Sequence, residues 1–339
     1  MKTIALIVDM KDWAFDIEAK ILKNNLKDKF DIDIYVSKDY DDNLFYILED
    51  TKKYDIIHFF WRKLLLQLST DEFKDLLIKN NYEYDDYIND ISKKISTGIY
   101  DHLFLDEESI KLYSNVFNKY CNKYYTCSKK LFDIYNSIEE YKSPWGVIHD
   151  TYDSNLYDGG DRTRYKNKKD YLIIGWIGNS NWNIKYKDFK GFHTILNPVL
   201  DELIEEGYLI KKHFADKNIK FRTNEEMPAY YQEIDICIIT STEEGTPRPI
   251  IEAMASGVPL ITTNVGIAEE ALGPKQKEFI IGKRNDNNDK EIKKRLKEKI
   301  IEIYNDRNLL EVLSEENYKL SKENSIYTLK DIYSKYFDN

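Results

Sequence analysis

The sequence predicts an α/β protein of two doubly wound domains, and three observations carry that expectation. Short apolar runs alternate with stretches of helical periodicity along nearly the whole chain. The alternation breaks once, in the polar segment 158–170, DGGDRTRYKNKKD, and then restarts. At 339 residues the chain is too long for one ordinary core. An N-terminal domain is therefore expected over 1–165 and a C-terminal domain over 166–324.

The elements follow in order. TIALIVD, at 3–9, is a continuous apolar run of the kind that forms a buried parallel strand. DWAFDIEAKILKNNLKDKF then places Phe15, Ala19, Leu22 and Leu26 on one helical face. DIDIYVS and YDIIHFF read as the next strands, and KKISTGIYDHLFL, NKYYTCS and PWGVIHD as further short strands or strand ends. Past the polar segment, DYLIIGWIG is a strand ending in a glycine turn, and HTILNPVLDELIEEG is a helix closed by Gly207. YLIKKHFAD is a strand, MPAYYQEI a short helix and DICIITS a strand. TPRPIIEAMASG is a helix, VPLITTN a strand, and NDKEIKKRLKEKIIEIYND a helix with a solvated, charged face. No fixed-period repeat is present. Two such domains facing each other place the default ligand site in a central cleft, at the carboxyl ends of the strands.

Composition narrows the function. Hydrophobic residues at 42% and charged residues at 32% describe a globular, water-soluble chain. The net charge of −10 argues against a nucleic-acid partner, whose backbone needs a basic surface. No apolar run approaches the ~18 residues of a membrane span, so at most peripheral membrane contact is expected. The N-terminus is interrupted by Asp9 and Lys11 and does not read as a signal peptide. Cys121, Cys127 and Cys237 lack metal-ligand spacing and read as reduced structural thiols of a cytoplasmic protein. The 27 tyrosines are read first as base composition and half-buried filler rather than as sugar platforms.

The most informative stretch is 240–270, TSTEEGTPRPIIEAMASGVPLITTNVGIAEE. A buried strand ends near Ile239, a tight loop follows, and Thr246 is placed to cap a helix that tolerates Pro247 and Pro249 in its first turn. Gly257 and Pro259 stop that helix. Its N-terminus then faces the mouth of the sheet as an anion site does. Glu244 stands in the loop and Glu252 lies among Ile250, Ile251, Ala253 and Met254. Each carboxylate is either a ligand to a polar substrate or, in the plainer reading, a dipole cap and a solvated surface acid; the residues alone leave both open.

This pattern resembles the donor-binding signature of the retaining GT-B glycosyltransferases of the family-four type. Here it reads Glu244-Gly245-Thr246-Pro247-Arg248-Pro249-Ile250-Ile251-Glu252, followed by Ala253-Met254-Ala255-Ser256-Gly257-Val258-Pro259. Asn264-Val265-Gly266 and Glu269 or Glu270 continue it. The resemblance implies that Glu252 holds the nucleotide ribose and Glu244 lies beside the transferred sugar. It also implies that the loop of Gly245, Thr246, Pro247 and Arg248 binds that sugar and the diphosphate. Pro247 stands where the family usually has glycine, which removes one amide donor.

The resemblance extends upstream. Gly178-Asn179-Ser180 would form the glycine turn near the diphosphate, and Lys190-Gly191 matches the pair whose lysine neutralises it. An arginine that commonly follows the first glycine is replaced by Asn179 and Ser180, and Lys185 is a substitute for its charge. VIHDTYDSNLY, with Asp153, resembles the family's segment at the end of the first domain. Asp101-His102 sits where the family often carries a pair facing the transferred sugar; His102 is either that group or a packed loop histidine. The first loop lacks the family's paired glycines, and Trp13 either lines the acceptor side or staples the first helix. SIYTLKDIYSKYF resembles a terminal helix, 325–339, that packs back on the first domain.

The implied activity is transfer of a hexose-type sugar from a nucleotide diphosphate sugar to a glycan, lipid-linked or protein acceptor, as in cell-surface glycan biosynthesis. Retention of configuration, domain closure on the donor and independence of any metal or other cofactor are expected; Asp31-x-Asp33 opens a strand and is no metal loop. A sugar-nucleotide 2-epimerase or a non-catalytic sugar-nucleotide-binding subunit are the alternatives on this fold.

Overall fold

The computed structural model describes residues 1–167 and 169–338, so Lys168 and Asn339 lie outside it. The chain divides into two compact units, Met1–Thr151 with Leu329–Asn339, and Tyr152–Thr328.

The first unit is built on a parallel sheet of β1 (Lys2–Val8), β2 (Phe30–Val36), β3 (Ile56–Phe59), β4 (Ile95–Ile99) and β5 (Lys123–Thr126), in the order β2-β1-β3-β4-β5. Helices cover both faces of the sheet, and β3 and β4 are buried at every position. His58, Ser96 and Thr97 are polar residues buried in that core. His58 on β3 is fully buried, bonds Ser96 Oγ through Nδ1 at 2.9 Å and stacks on Tyr125 at 5.6 Å. Burial pushes its pKa down to about 3, so it is a neutral packing residue. PWGVIHD forms no strand. Pro144 lacks an N–H, and the run adds only the bridge between Thr126 and Val147.

The final helix, Ile326–Asp338, starts in the second unit and ends in the first. Its Tyr333 hydroxyl donates to buried Glu18 at 2.9 Å, and the carboxylate of Glu18 also accepts the Thr151 N–H. Lys123 Nζ reaches the Tyr336 carbonyl, and Tyr336 and Phe337 pack edge-on to His58.

The second unit carries β6 (Leu172–Gly178), β7 (Ile210–Asp216), β8 (Ile236–Ile239) and β9 (Leu260–Thr262), all parallel, in the order β7-β6-β8-β9. The polar segment 158–170 belongs to this unit rather than to a boundary. It contains a 3-10 turn at Arg162–Lys166, with Tyr165 buried against Leu172 and Ile174 in one cluster and the Arg162 guanidinium 4.0 Å from the Tyr318 ring. Tyr152 and Tyr157 are likewise buried in its core. Those aromatic side chains, not the polar residues between them, decide where the segment packs.

At the edge of this sheet, β9 is three residues long, and the fully buried Gln276 side chain completes its pairing. Gln276 Oε1 accepts the Leu260 N–H at 3.1 Å and Nε2 donates to the Leu260 carbonyl at 2.6 Å. Asn317 Nδ2 donates to the same Oε1 at 2.7 Å. Gln276→Leu keeps the volume but orphans these buried groups. It should destabilise the second unit by about 2–4 kcal/mol. Urea unfolding checks this; a midpoint equal to the parent's contradicts it.

Candidate active site

The second sheet reverses its direction of growth between β6 and β8, which opens a crevice at their carboxyl ends. The loops after β6, β8 and β9 meet there.

The loop after β6 begins with Gly178, where a Cβ would stand 2.8 Å from the Trp176 ring. Asp216, at the end of β7, pins the turn. Its Oδ1 accepts the Ser180 N–H at 3.2 Å and the Asn218 N–H at 3.0 Å. Asn218 Nδ2 in turn donates to Asn179 Oδ1 at 2.8 Å and Ser180 Oγ at 3.1 Å. Burial pushes the Asp216 carboxyl up, but the hydrogen bonds from Ser180 and Asn218 outweigh that and leave it below its ordinary range. Asn179 and Ser180 thus anchor the turn. Lys185 stands exposed farther along the same loop.

The loop then returns to the sheet at Asp188–Gly191. Asp188 Oδ2 accepts the N–H groups of His193 and Thr194, each at 2.8 Å, and so caps the helical segment that starts at Phe192. Gly191 has φ +66°, and a Cβ there would lie 2.5 Å from the Thr240 carbonyl oxygen. Thr240 Oγ1 donates to the Lys190 carbonyl at 2.8 Å. The Arg284 guanidinium, 3% exposed, donates to the carbonyls of Asp188 at 2.8 Å and Thr240 at 3.3 Å and locks the two loops together. The outcome is that the Lys190 ammonium forms an ion pair with Glu244, both largely but not fully buried, and lies 5.6 Å above the Trp182 ring.

The helix after β8 runs from Arg248 to Ala255. The N-cap position is Pro247, one residue after the expected Thr246. Pro247 and Pro249 have no N–H, and the Ile250 N–H is bonded to the Pro247 carbonyl at 2.8 Å. The expected anion site of free helix-end amides is therefore depleted, because prolines supply the turn's geometry at the expense of donors. Gly245 packs directly under Gly266, which has φ +51° and leaves no room for a Cβ.

Glu252 is 5% exposed, so it is no solvated surface acid. Its Oε1 accepts from Arg248 Nε and its Oε2 from the Tyr231 hydroxyl, each at 3.1 Å. Burial, and then the Glu252 charge, push the neighbouring Tyr157 phenol up. A carboxylate has about four acceptor positions, so these partners orient Glu252 without exhausting it.

In the first unit, Asp101 follows β4 and is gripped by Arg62, which is 6% exposed, with Nη1 to Oδ2 at 3.0 Å and Nη2 to Oδ1 at 2.7 Å. The Tyr135 hydroxyl donates to the Asp101 carbonyl at 3.2 Å. Asp101 is thus first the counter-charge of a buried arginine. His102 is half-buried beside it in the chain, and Trp13 is the half-buried N-cap of the Ala14–Leu26 helix. The three cysteines are buried. Among the described residues no group of three His, Cys, Asp or Glu side chains is placed to hold a metal ion, and no helix is long and apolar enough to cross a membrane.

Residues 202–320 match the family described as Glycosyl transferases group 1, a span that holds Glu244, Glu252 and their loop but begins after Lys190. An uncharacterized glycosyltransferase of Methanocaldococcus jannaschii is 25% identical over 182 residues, 50% of this chain and 48% of that protein. The GtfA subunit of a Streptococcus pneumoniae UDP-N-acetylglucosamine–peptide N-acetylglucosaminyltransferase is 27% identical over 123 residues, 36% of this chain and 24% of that protein. The chain thus spans less than half the length of these curated relatives. Among solved structures, the Anabaena protein HepE in complex with UDP-glucose superposes with a TM-score of 0.64 at 13% identity, covering 100% of both chains. Sucrose-phosphate synthase from Thermosynechococcus elongatus does so with a TM-score of 0.66 at 14% identity, again over 100% of both. The fold is GT-B.

The Asp216 anchor generates a test. Asp216→Ala frees the Ser180 and Asn218 donors and should cost the second unit about 1–3 kcal/mol. It should also speed hydrogen exchange at the Ser180 amide. Because the folded carboxyl titrates below the ordinary carboxylate range, this stabilisation is present above that range and is lost as pH falls through the folded pKa. Parental exchange at Ser180 would show that the turn is held by other contacts.

Proposed function

We propose, from the match of residues 202–320 to the glycosyl transferases group 1 family, that the chain moves a sugar from a nucleotide diphosphate sugar to an acceptor. The observation that carries this reading is the meeting of Lys190 and Glu244 at the sheet's reversal point, beside a Glu252 held in place by Arg248 and Tyr231. A uridine diphosphate sugar is the proposed donor, because UDP or a UDP-sugar occurs in the names of relatives and neighbours on this fold. The acceptor class is a glycan, a lipid-linked sugar or a protein.

The roles follow from charge and position. Lys190 neutralises the diphosphate, where negative charge grows as the sugar–oxygen bond breaks. Exposed Lys185 adds to the positive field at that mouth. Donor binding exchanges the Glu244 carboxylate for phosphate oxygens on Lys190 and releases Glu244 toward the sugar, where positive charge develops at the anomeric carbon. Glu252 accepts the two ribose hydroxyl protons on the lone pairs that Arg248 and Tyr231 leave. His102 and Asp101 are proposed to face the transferred sugar and Trp13 the acceptor, with Asp101 acting while bound to Arg62. The departing phosphate oxygen takes the acceptor proton on the face it leaves, which retains the configuration. The cations of this chain take the part of a metal, and a cytoplasmic location follows from the use of a nucleotide sugar.

Two carboxylate substitutions separate these roles. A charged hydrogen bond contributes about 1.5–3 kcal/mol, so Glu252→Gln should weaken donor binding about ten- to a hundred-fold. Since Glu252 is buried, its melting temperature is followed in parallel, and saturating donor should restore most of the turnover. Glu244→Gln removes the competitor for Lys190, so donor affinity should hold or rise while turnover falls. Calorimetry and turnover at saturating donor read both; parental binding by the first or parental turnover by the second contradicts the assigned role.

Product analysis tests the rest. NMR of the anomeric proton should show the donor's configuration, and transfer should persist in EDTA. An inverted linkage, or loss of transfer restored by magnesium or manganese, contradicts the corresponding step. Interconversion of free donor would instead make the protein an epimerase, and binding without turnover a sensor subunit.

A further inference from the structure

In the second unit, Ile184, Tyr186, Ile219 and Phe221 stand exposed on two loops whose bases lie beside the proposed donor site. Strands β6 and β7 are neighbours with Gly178 opposite Asp216, so the loops that follow them leave the sheet edge side by side. Asn218 ties the loops together at their base through its bonds to Asn179 and Ser180. Beyond that base the side chains turn to solvent. The first loop exposes Trp182, Ile184 and Tyr186, the last of them 87% exposed; the second exposes Ile219, at 78%, and Phe221. Tyr46, Ile78 and Leu112 are also exposed, at widely separated positions in the sequence.

Cations alternate with these apolar tips. Lys185 and Lys187 lie in the first loop and Lys217 and Lys220 in the second, with no Asp or Glu in 178–187 or 217–224, while the Arg222 guanidinium lies against the Tyr230 ring at 4.9 Å. The chain as a whole carries a net charge of −10, so this is a local reversal of sign. Lys187 pairs with Asp286, while Lys185 and Lys220 are exposed.

We propose that these two loops dock the protein on an anionic bilayer surface. The aliphatic tips select that occupant over a soluble polyanion. Ile184 and Ile219 gain nothing from a charged polymer in water, but they gain from leaving water for the acyl boundary. The lysines select it over a protein partner. Lysine is depleted from the buried centres of protein interfaces, whereas at a bilayer its stem lies along the apolar layer and its ammonium reaches the headgroups. Trp182 and Tyr186 are the aromatic types that favour the headgroup level. Anionic lipids attract the local cations strongly enough to offset the repulsion of an acidic chain, and the attraction is screened by salt. Docking is peripheral: among the described residues no helix is long and apolar enough to cross. The first loop also carries Lys185, proposed above to act on the donor, so the test reads partition onto lipid and needs no turnover.

The full chain is sedimented with large vesicles of phosphatidylcholine alone and of phosphatidylcholine with a minority of phosphatidylglycerol. Partition onto the anionic vesicles should exceed that onto neutral ones by about tenfold, and high salt should abolish the difference. A combined Ile184→Ser, Tyr186→Ser, Ile219→Ser and Phe221→Ser variant should stay folded, because all four side chains are exposed and none belongs to a buried core cluster, and should lose at least about tenfold in partition. Absence of binding to anionic vesicles, equal binding to neutral ones, or parental binding by the variant overturns the proposal. So does binding to heparin that matches the vesicles and survives the four serines, which would make the loops a polyanion site.

Discussion

The close approach of Gly191 to the Thr240 carbonyl is the constraint on which the candidate site depends. A parallel sheet that reverses between β6 and β8 leaves two loops at one edge, but it does not by itself make them touch. Contact requires a residue without a Cβ at φ +66°, and the buried Arg284 then bonds carbonyls from both loops. Only with the backbones this close do Lys190 and Glu244, 54 positions apart in sequence, fall within reach of each other. The ion pair is thus a product of backbone packing, and the packing would survive its exchange for a phosphate.

Glu252 shows the second way in which this unit spends stability on a charge. A carboxylate in an apolar helix face is costly unless it is paired. Here one partner comes from the preceding helical turn and the other from the Met227–Glu233 helix, so the position of the carboxylate is set by two elements at once. The same logic governs Arg62 and Asp101 in the first unit, where the buried member is the cation. In each pair the group with a proposed chemical role is also the one that satisfies a buried neighbour. Loss of such a side chain affects folding and function together, and variants that keep shape and alter charge are the informative ones.

Much of this was legible in the sequence. Parallel strands covered on both faces are continuous apolar runs, and TIALIVD, YLIIGWIG and DICIIT announce themselves for that reason. The Glu244–Glu252 segment was legible because strand, loop, proline turn and helix follow without interruption. The Arg248–Glu252 pair lies at the i, i+4 spacing, which is legible in the sequence as well. What was not legible is what distant segments supply. Tyr231, Arg284, Asp216 and Arg62 carry no local signal that distinguishes them from surface residues. The helix at Asn308–Ser321 escaped notice because its buried face includes Ser314, Asn317 and Ser321, which weakens the apolar period. Polar residues at 158–170 suggested a boundary, but Tyr157 and Tyr165 on either side bury themselves in the second unit.

The central claim is that Lys190, released from Glu244, is the seat of the donor's diphosphate. Calorimetric titration of UDP and of uridine into the parent and into Lys190→Met tests it most directly. The account predicts that the variant loses about tenfold or more in affinity for UDP, the worth of one charged hydrogen bond, while uridine binds both proteins alike. Equal affinity of the two proteins for UDP would contradict it.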